Sequence, residues 1–309
     1  MEDIKIQDEE KVKKYLKIIT ILKAIIIPFA NFFVFLAINF AVQNAFSFVF
    51  VLLAADESLT KKQQLEKAMN MFSQHISLMY SIIVVLFLGI FMLVHIKKNF
   101  SEDIDLKYKA PTRKMGALSV VLGIFVGIGS NIVLNLIANK LPDSWIEGNQ
   151  ESVSAFEGGN FILTLIATGI CVPILEELLF RGLIYNSIKK IIKTLTKTQT
   201  KATQYFTVIT AAVVTSFLFG IYHGNILQAL YTGILSLFMV YAYEKSGSIV
   251  TAIIIHSMFN ISGIPLYFMV TFIGEVATLA VSVVIICITM VMVYKVCSVK
   301  KQEIQSEEI

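Results

Sequence analysis

The stretch FILTLIATGICVPILEELLFRGLIYNSI, residues 161–188, is an apolar run long enough to cross a bilayer, yet it carries Glu176, Glu177 and Arg181 near its middle. A helix needs about 20 apolar residues to cover roughly 30 Å of hydrocarbon at about 1.5 Å per residue. An ionisable side chain inside such a helix costs about 2.5–3.5 kcal/mol on insertion scales, so each marks a functional site by default. The run therefore reads as a membrane helix with a site in it.

The rest of the chain follows the same pattern. Of its 309 residues, 56% are hydrophobic and 16% charged, against about 25% charged in soluble domains, and the mean hydropathy is +0.74. Apolar blocks bounded by charge predict eight spans, at about 20–45, 77–96, 115–138, 161–188, 205–223, 226–243, 247–264 and 267–294. The expected fold is all-α, a polytopic membrane protein of about eight transmembrane helices forming one integral domain over residues 1–309. The ten-residue alternating segments of a β-barrel are missing. Apolar character continues from the first block to residue 55, and segment 46–55 is expected to be an extension or an interfacial piece.

Loop charge sets the orientation. The densest basic loops hold Lys97, Lys98, Lys107, Lys109, Arg113 and Lys114, then Lys189, Lys190, Lys193, Lys197 and Lys201. The positive-inside rule makes both cytoplasmic. The segment 140–160 has one lysine beside Asp143, Glu147, Glu151 and Glu157, and belongs outside. A single span in the first block then puts Lys11, Lys13, Lys14 and Lys17 inside, so both termini are cytoplasmic. The N-terminus does not resemble a cleavable signal, and the first span reads as an uncleaved anchor. The net charge of +4 lies in these loops, which gives no nucleic-acid surface; the expected partners are the lipid bilayer and a peptide or protein substrate. Cys171, Cys287 and Cys297 show no CxxC or pairing pattern and read as packing residues.

The remaining polar residues of interest are His223, at the end of the fifth span, and His256 with Asn260 in the seventh. Counting from the cytoplasmic edges places Glu176 roughly 20 Å deep, His223 roughly 27 Å, His256 roughly 17 Å and Asn260 roughly 23 Å, which permits one shared layer. Glu177 and Arg181 are spaced i, i+4 for an ion pair, while Glu176 points about 100° away and is left free. His256 and Asn260 share a face in the same way. Pro173 removes the backbone bond to the Gly169 carbonyl and marks a bend. Taken singly, the Glu–Arg pair could be structural glue, His223 an interfacial histidine, and HSMFN an interhelical hydrogen-bonding pair. Together, a carboxylate, two histidines and an amide are what water-activated hydrolysis needs.

EExxxR (Glu176, Glu177, Arg181), FxxxH (Phe219, His223) and HxxxN (His256, Asn260), in this order, resemble the motifs of the CAAX protease and bacteriocin-processing family (CPBP, Abi) of intramembrane endopeptidases, which includes the CAAX prenyl protease. The resemblance covers residues 115–264. It implies a bundle of about eight spans with a membrane-open cavity. It also implies that Glu176 and His223 activate the attacking water, that His256 and Asn260 stabilise the oxyanion, and that Glu177 and Arg181 position them. The expected cofactor is none; were zinc present, Glu176, His223 and His256 would be its ligands, although HExxH is absent. The competing expectation is a non-catalytic immunity or scaffold protein of the same fold. A transporter fits poorly, because the charges trace no continuous path. The Lys-, Ile- and Asn-rich composition points to a bacterial plasma membrane, where bacteriocin or peptide processing and self-immunity are the implied roles.

Overall fold

The computed structural model describes residues 2–95, 110–154, 160–196, 198 and 200–307. Lys97, Lys98, Lys107, Lys109, Glu157 and Lys197 lie outside the described residues. Helices α1 (Glu2–Ala54), α2 (Lys61–His95) and α3 (Arg113–Ile137) are followed by the short α4 (Asp143–Ser154). Then come α5 (Phe161–Leu195), α6 (Lys201–Tyr222), α7 (Ile226–Ser246), α8 (Ile249–Ile261), α9 (Gly263–Ile273) and α10 (Glu275–Glu307). Strands are absent from the described residues. Seven of these helices are long and apolar enough to cross a membrane, and α8 is a shorter apolar helix.

The first and last blocks differ in detail from the sequence expectation. Segment 46–54 simply continues α1, because no glycine or proline stands between Pro28 and the Asp56–Ser58 turn. At the other end, the block expected over 267–294 is interrupted. Gly274, at φ 79°, takes a conformation that L-residues rarely adopt, so α9 stops there and Glu275 opens α10. Helix α8, at 13 residues, is about 20 Å long, shorter than the roughly 30 Å hydrocarbon layer.

Helix α5 runs through the middle, against α1, α2, α6 and α8; α3 packs on α8 and α10, and α6 pairs with α7. In lipid, close helix packing relies on small residues rather than on apolar burial. Gly123 and Gly127 let α3 meet the backbone of Ile255 and Phe259 on α8 and the side chain of Ser262, with no room for a Cβ. Gly220 does the same between α6 and α7, where a Cβ would stand 2.5 Å from the Ala229 carbonyl oxygen. Polar stitches finish the seam between α5 and α7. Lys189 pairs with Glu244, and Asn186 Nδ2 donates to the Tyr243 hydroxyl at 2.9 Å. Glu244 is thus half of an interhelical ion pair. Cys171 is partly buried on α5, whereas Cys287 faces out of the bundle rather than into its packing.

Candidate active site

The local build of α5 aims its charged residues. Its helix widens to π geometry twice, at Ala167–Cys171 and Leu178–Tyr185, on either side of the α-helical Val172–Glu177. Such widened turns shift side chains relative to the 3.6-residue repeat and are common at functional sites. In the first, the Val172 N–H reaches back to the Ala167 carbonyl. The next carbonyl, Thr168, would in that register receive the N–H of residue 173, which is proline and has none. Asn260 fills the gap from α8, its Nδ2 donating to the Thr168 carbonyl at 2.7 Å.

One turn along α8, His256 meets both glutamates. Its Nδ1–H donates to Glu177 Oε1 at 2.9 Å, and its Nε2 lies 3.6 Å from Glu176 Oε2. The roughly 100° between adjacent helix positions thus turns the two carboxylates to different nitrogens of one imidazole. Glu177 Oε1 also accepts from Arg181 Nη1 at 2.7 Å. Arg181 Nη2 donates to Ser236 Oγ on α7 at 2.6 Å, and the guanidinium carbon sits 4.5 Å above the Phe219 ring. Glu177, Arg181 and Ser236 are fully buried, Glu176 and His256 nearly so. Unpaired charges would be expelled from such a place. With His256 protonated at both nitrogens, the two carboxylates, guanidinium and imidazolium sum to zero.

His223 reaches this cluster through Phe219, whose ring lies edge-on to His223 at 4.9 Å and to His256 at 5.6 Å. It caps α6, and Gly224, at φ 77°, turns the chain back so that Asn225 can cap α7 by accepting from the Gln228 N–H at 2.7 Å. The His223 Nδ1–H donates to the Phe219 carbonyl at 2.8 Å. A carbonyl only accepts, so Nδ1 carries a proton, and in the neutral ring Nε2 keeps the lone pair. His223 is half-buried and Asn260 exposed, so the cluster grades from the closed Arg181 end to an open one.

Glu176, Glu177, Arg181 and His256 are therefore in one group, His223 stands beyond one aromatic ring, and Asn260 sits a turn away against Thr168. Sequence reading singled out neither Ser236 nor Thr168, nor Tyr80 and Tyr222, which lie within electrostatic range of Glu176. Only Thr168 had a signal, the missing proline donor. Among the described residues no three His, Cys, Asp or Glu side chains converge as a metal-ligand set. In both histidines the committed nitrogen is Nδ1, which leaves Nε2 of His223 and of His256 available to the site.

Residues 158–262, which hold all of these side chains except Tyr80, match the family described as type II CAAX prenyl endopeptidase Rce1-like. The matched segment is similar to that family, which supports the resemblance carried by the three motifs. No curated protein and no solved structure matches the chain. The matched segment spans α5 through α8 together with Ser262, and leaves α1 to α4, α9 and α10 outside it.

Proposed function

We propose that the protein is an intramembrane endopeptidase that hydrolyses a peptide bond at or within the bilayer, with Glu176 as general base and no metal. The observation that carries this reading is the unequal treatment of two adjacent buried carboxylates. Glu177 is neutralised by Arg181, whereas Glu176 has no guanidinium and lies 3.6 Å from His256 Nε2. That separation is too long for a hydrogen bond, but both atoms can contact one water lying beside them. Glu176 takes a proton from this water, oriented by the free Nε2 of His223. The water oxygen adds to the peptide carbonyl carbon, and His256 Nε2–H with the second amide hydrogen of Asn260 receives the oxyanion. The C–N bond then breaks as the proton passes from Glu176 to the leaving nitrogen. Glu177 and Arg181 hold His256 throughout.

The family description supports a substrate cleaved near a prenylated C-terminus; a leader-bearing peptide is the other class. A panel of internally quenched peptides, with and without a farnesyl-cysteine terminus, tests both. Glu176→Ala and His223→Ala are each expected to lower cleavage by about 10²–10⁴-fold. Normal cleavage by both variants would rule this mechanism out, whereas variants that keep the cellular phenotype without cleavage would favour a non-catalytic immunity or scaffold role. Chelation is expected to leave the rate unchanged, and loss of activity restored by zinc would overturn the metal-free mechanism.

A further inference from the structure

Arg181 is the largest fully buried side chain among the described residues. A guanidinium has five N–H donors and no acceptor, so its orientation is set by whatever accepts from it. Two groups do so here. Glu177 Oε1 takes Nη1 at 2.7 Å and Ser236 Oγ takes Nη2 at 2.6 Å, while the Ser236 carbonyl is a long 3.4 Å away. A serine inside a membrane helix ordinarily gives its hydroxyl to the carbonyl one turn back. Ser81, Ser119 and Ser282 all do this. Ser236 instead presents its oxygen to a charged group on another helix, and it lies in none of the three motifs.

We propose that Ser236 is a positioning residue of the hydrolytic site, an inference that rests on the function proposed above. The contacts form one line: Ser236 Oγ to Arg181, Arg181 to Glu177 Oε1, Glu177 Oε1 to His256 Nδ1, and His256 Nε2 facing Glu176 across 3.6 Å. Because one oxygen of Glu177 accepts from both Arg181 and His256, any swing of the guanidinium moves the acceptor that fixes the imidazole. Without the serine oxygen, the guanidinium pivots about its single short bond to Glu177. The helices themselves stay joined, since Lys189–Glu244 and Asn186–Tyr243 tie α5 to α7 nearer Leu195 and Ser246. A serine serving only as interhelical glue would affect stability and leave the imidazole where it is.

The test uses full-length protein in detergent with ¹⁵N-labelled histidine. The most downfield imidazole N–H proton is assigned to His256 by its loss in His256→Gln. Ser236→Ala is expected to shift that signal and to lower kcat on the peptide panel by about 10- to 100-fold, with KM within about twofold, since no substrate contact is removed. Ser236→Thr, which keeps the acceptor, restores both. Should threonine crowd the buried position, Ser236→Cys, nearly isosteric but a weak acceptor, must behave as alanine does. An unshifted His256 signal with unchanged kcat in the alanine and cysteine variants overturns the proposal. If no peptide is cleaved by the native protein, the proton signal alone decides. If Glu176→Ala still cleaves while Ser236→Ala shifts the signal, the hydrolytic reading falls and the positioning line stands.

Discussion

A single imidazole, that of His256, touches Glu177 with one nitrogen and faces Glu176 with the other, so the site's charges are coupled at one side chain. Removing either member of the Glu177–Arg181 pair strands the other in a fully buried position. Arg181→Ala is accordingly expected to destabilise the fold by about 3–5 kcal/mol, measured as a fall in thermal midpoint in detergent, whereas the double replacement Glu177→Gln with Arg181→Met recovers most of it. The pair was legible in the sequence because i, i+4 spacing puts both side chains on one face. The direction of Glu176 was only half legible: periodicity gave its angle from Glu177, but not that one imidazole fills that angle. Ser236 left no trace, since a serine in a span is unremarkable until a partner helix is laid against it.

At the level of the helix, the two widened turns of α5 decide where its carboxylates point, and periodicity of 3.6 cannot show them. The sequence did point to a broken backbone bond at Pro173, and the expected orphan was the Gly169 carbonyl. In the π register the one that needs help is Thr168, which Asn260 supplies. Pro173→Ala restores an N–H that competes with Asn260 for that carbonyl. We expect the turn to tighten and cleavage to drop by about tenfold, as misplacements of an ångström or less do, with Asn260 side-chain amide resonances losing their hydrogen-bonded shift. The α1–α2 turn makes a separate, pH-dependent prediction. The Ser58 hydroxyl and N–H both donate to Asp56 Oδ1, at 2.6 and 3.0 Å, and hold its carboxyl below the usual range, the hydroxyl contributing most. A depressed folded pKa means the turn is favoured above the unfolded value, about 3.9, and loses that support as pH falls through the lower one. Amide exchange at Ser58 should accelerate on that acid side, and Asp56→Asn should remove the dependence.

Across the whole chain, the spans were readable because twenty-residue apolar runs leave little alternative to a helix. The exceptions were places where length alone misleads: the interrupted run at Gly274, and α1, whose 53 residues make about 80 Å of helix, far more than a bilayer needs. The charge argument for orientation predicts that a single cysteine at residue 200, in protein lacking Cys171, Cys287 and Cys297, resists an impermeant maleimide in intact cells, while one at residue 149 is labelled. The reverse pattern would invert the bundle. Finally, Arg181 finds its counter-ion on its own helix, one turn back, rather than on a segment made later. During biogenesis α5 can leave the translocon with its guanidinium already paired, before the ribosome has synthesised α7 or α8, so Glu176 enters the lipid without a naked guanidinium beside it.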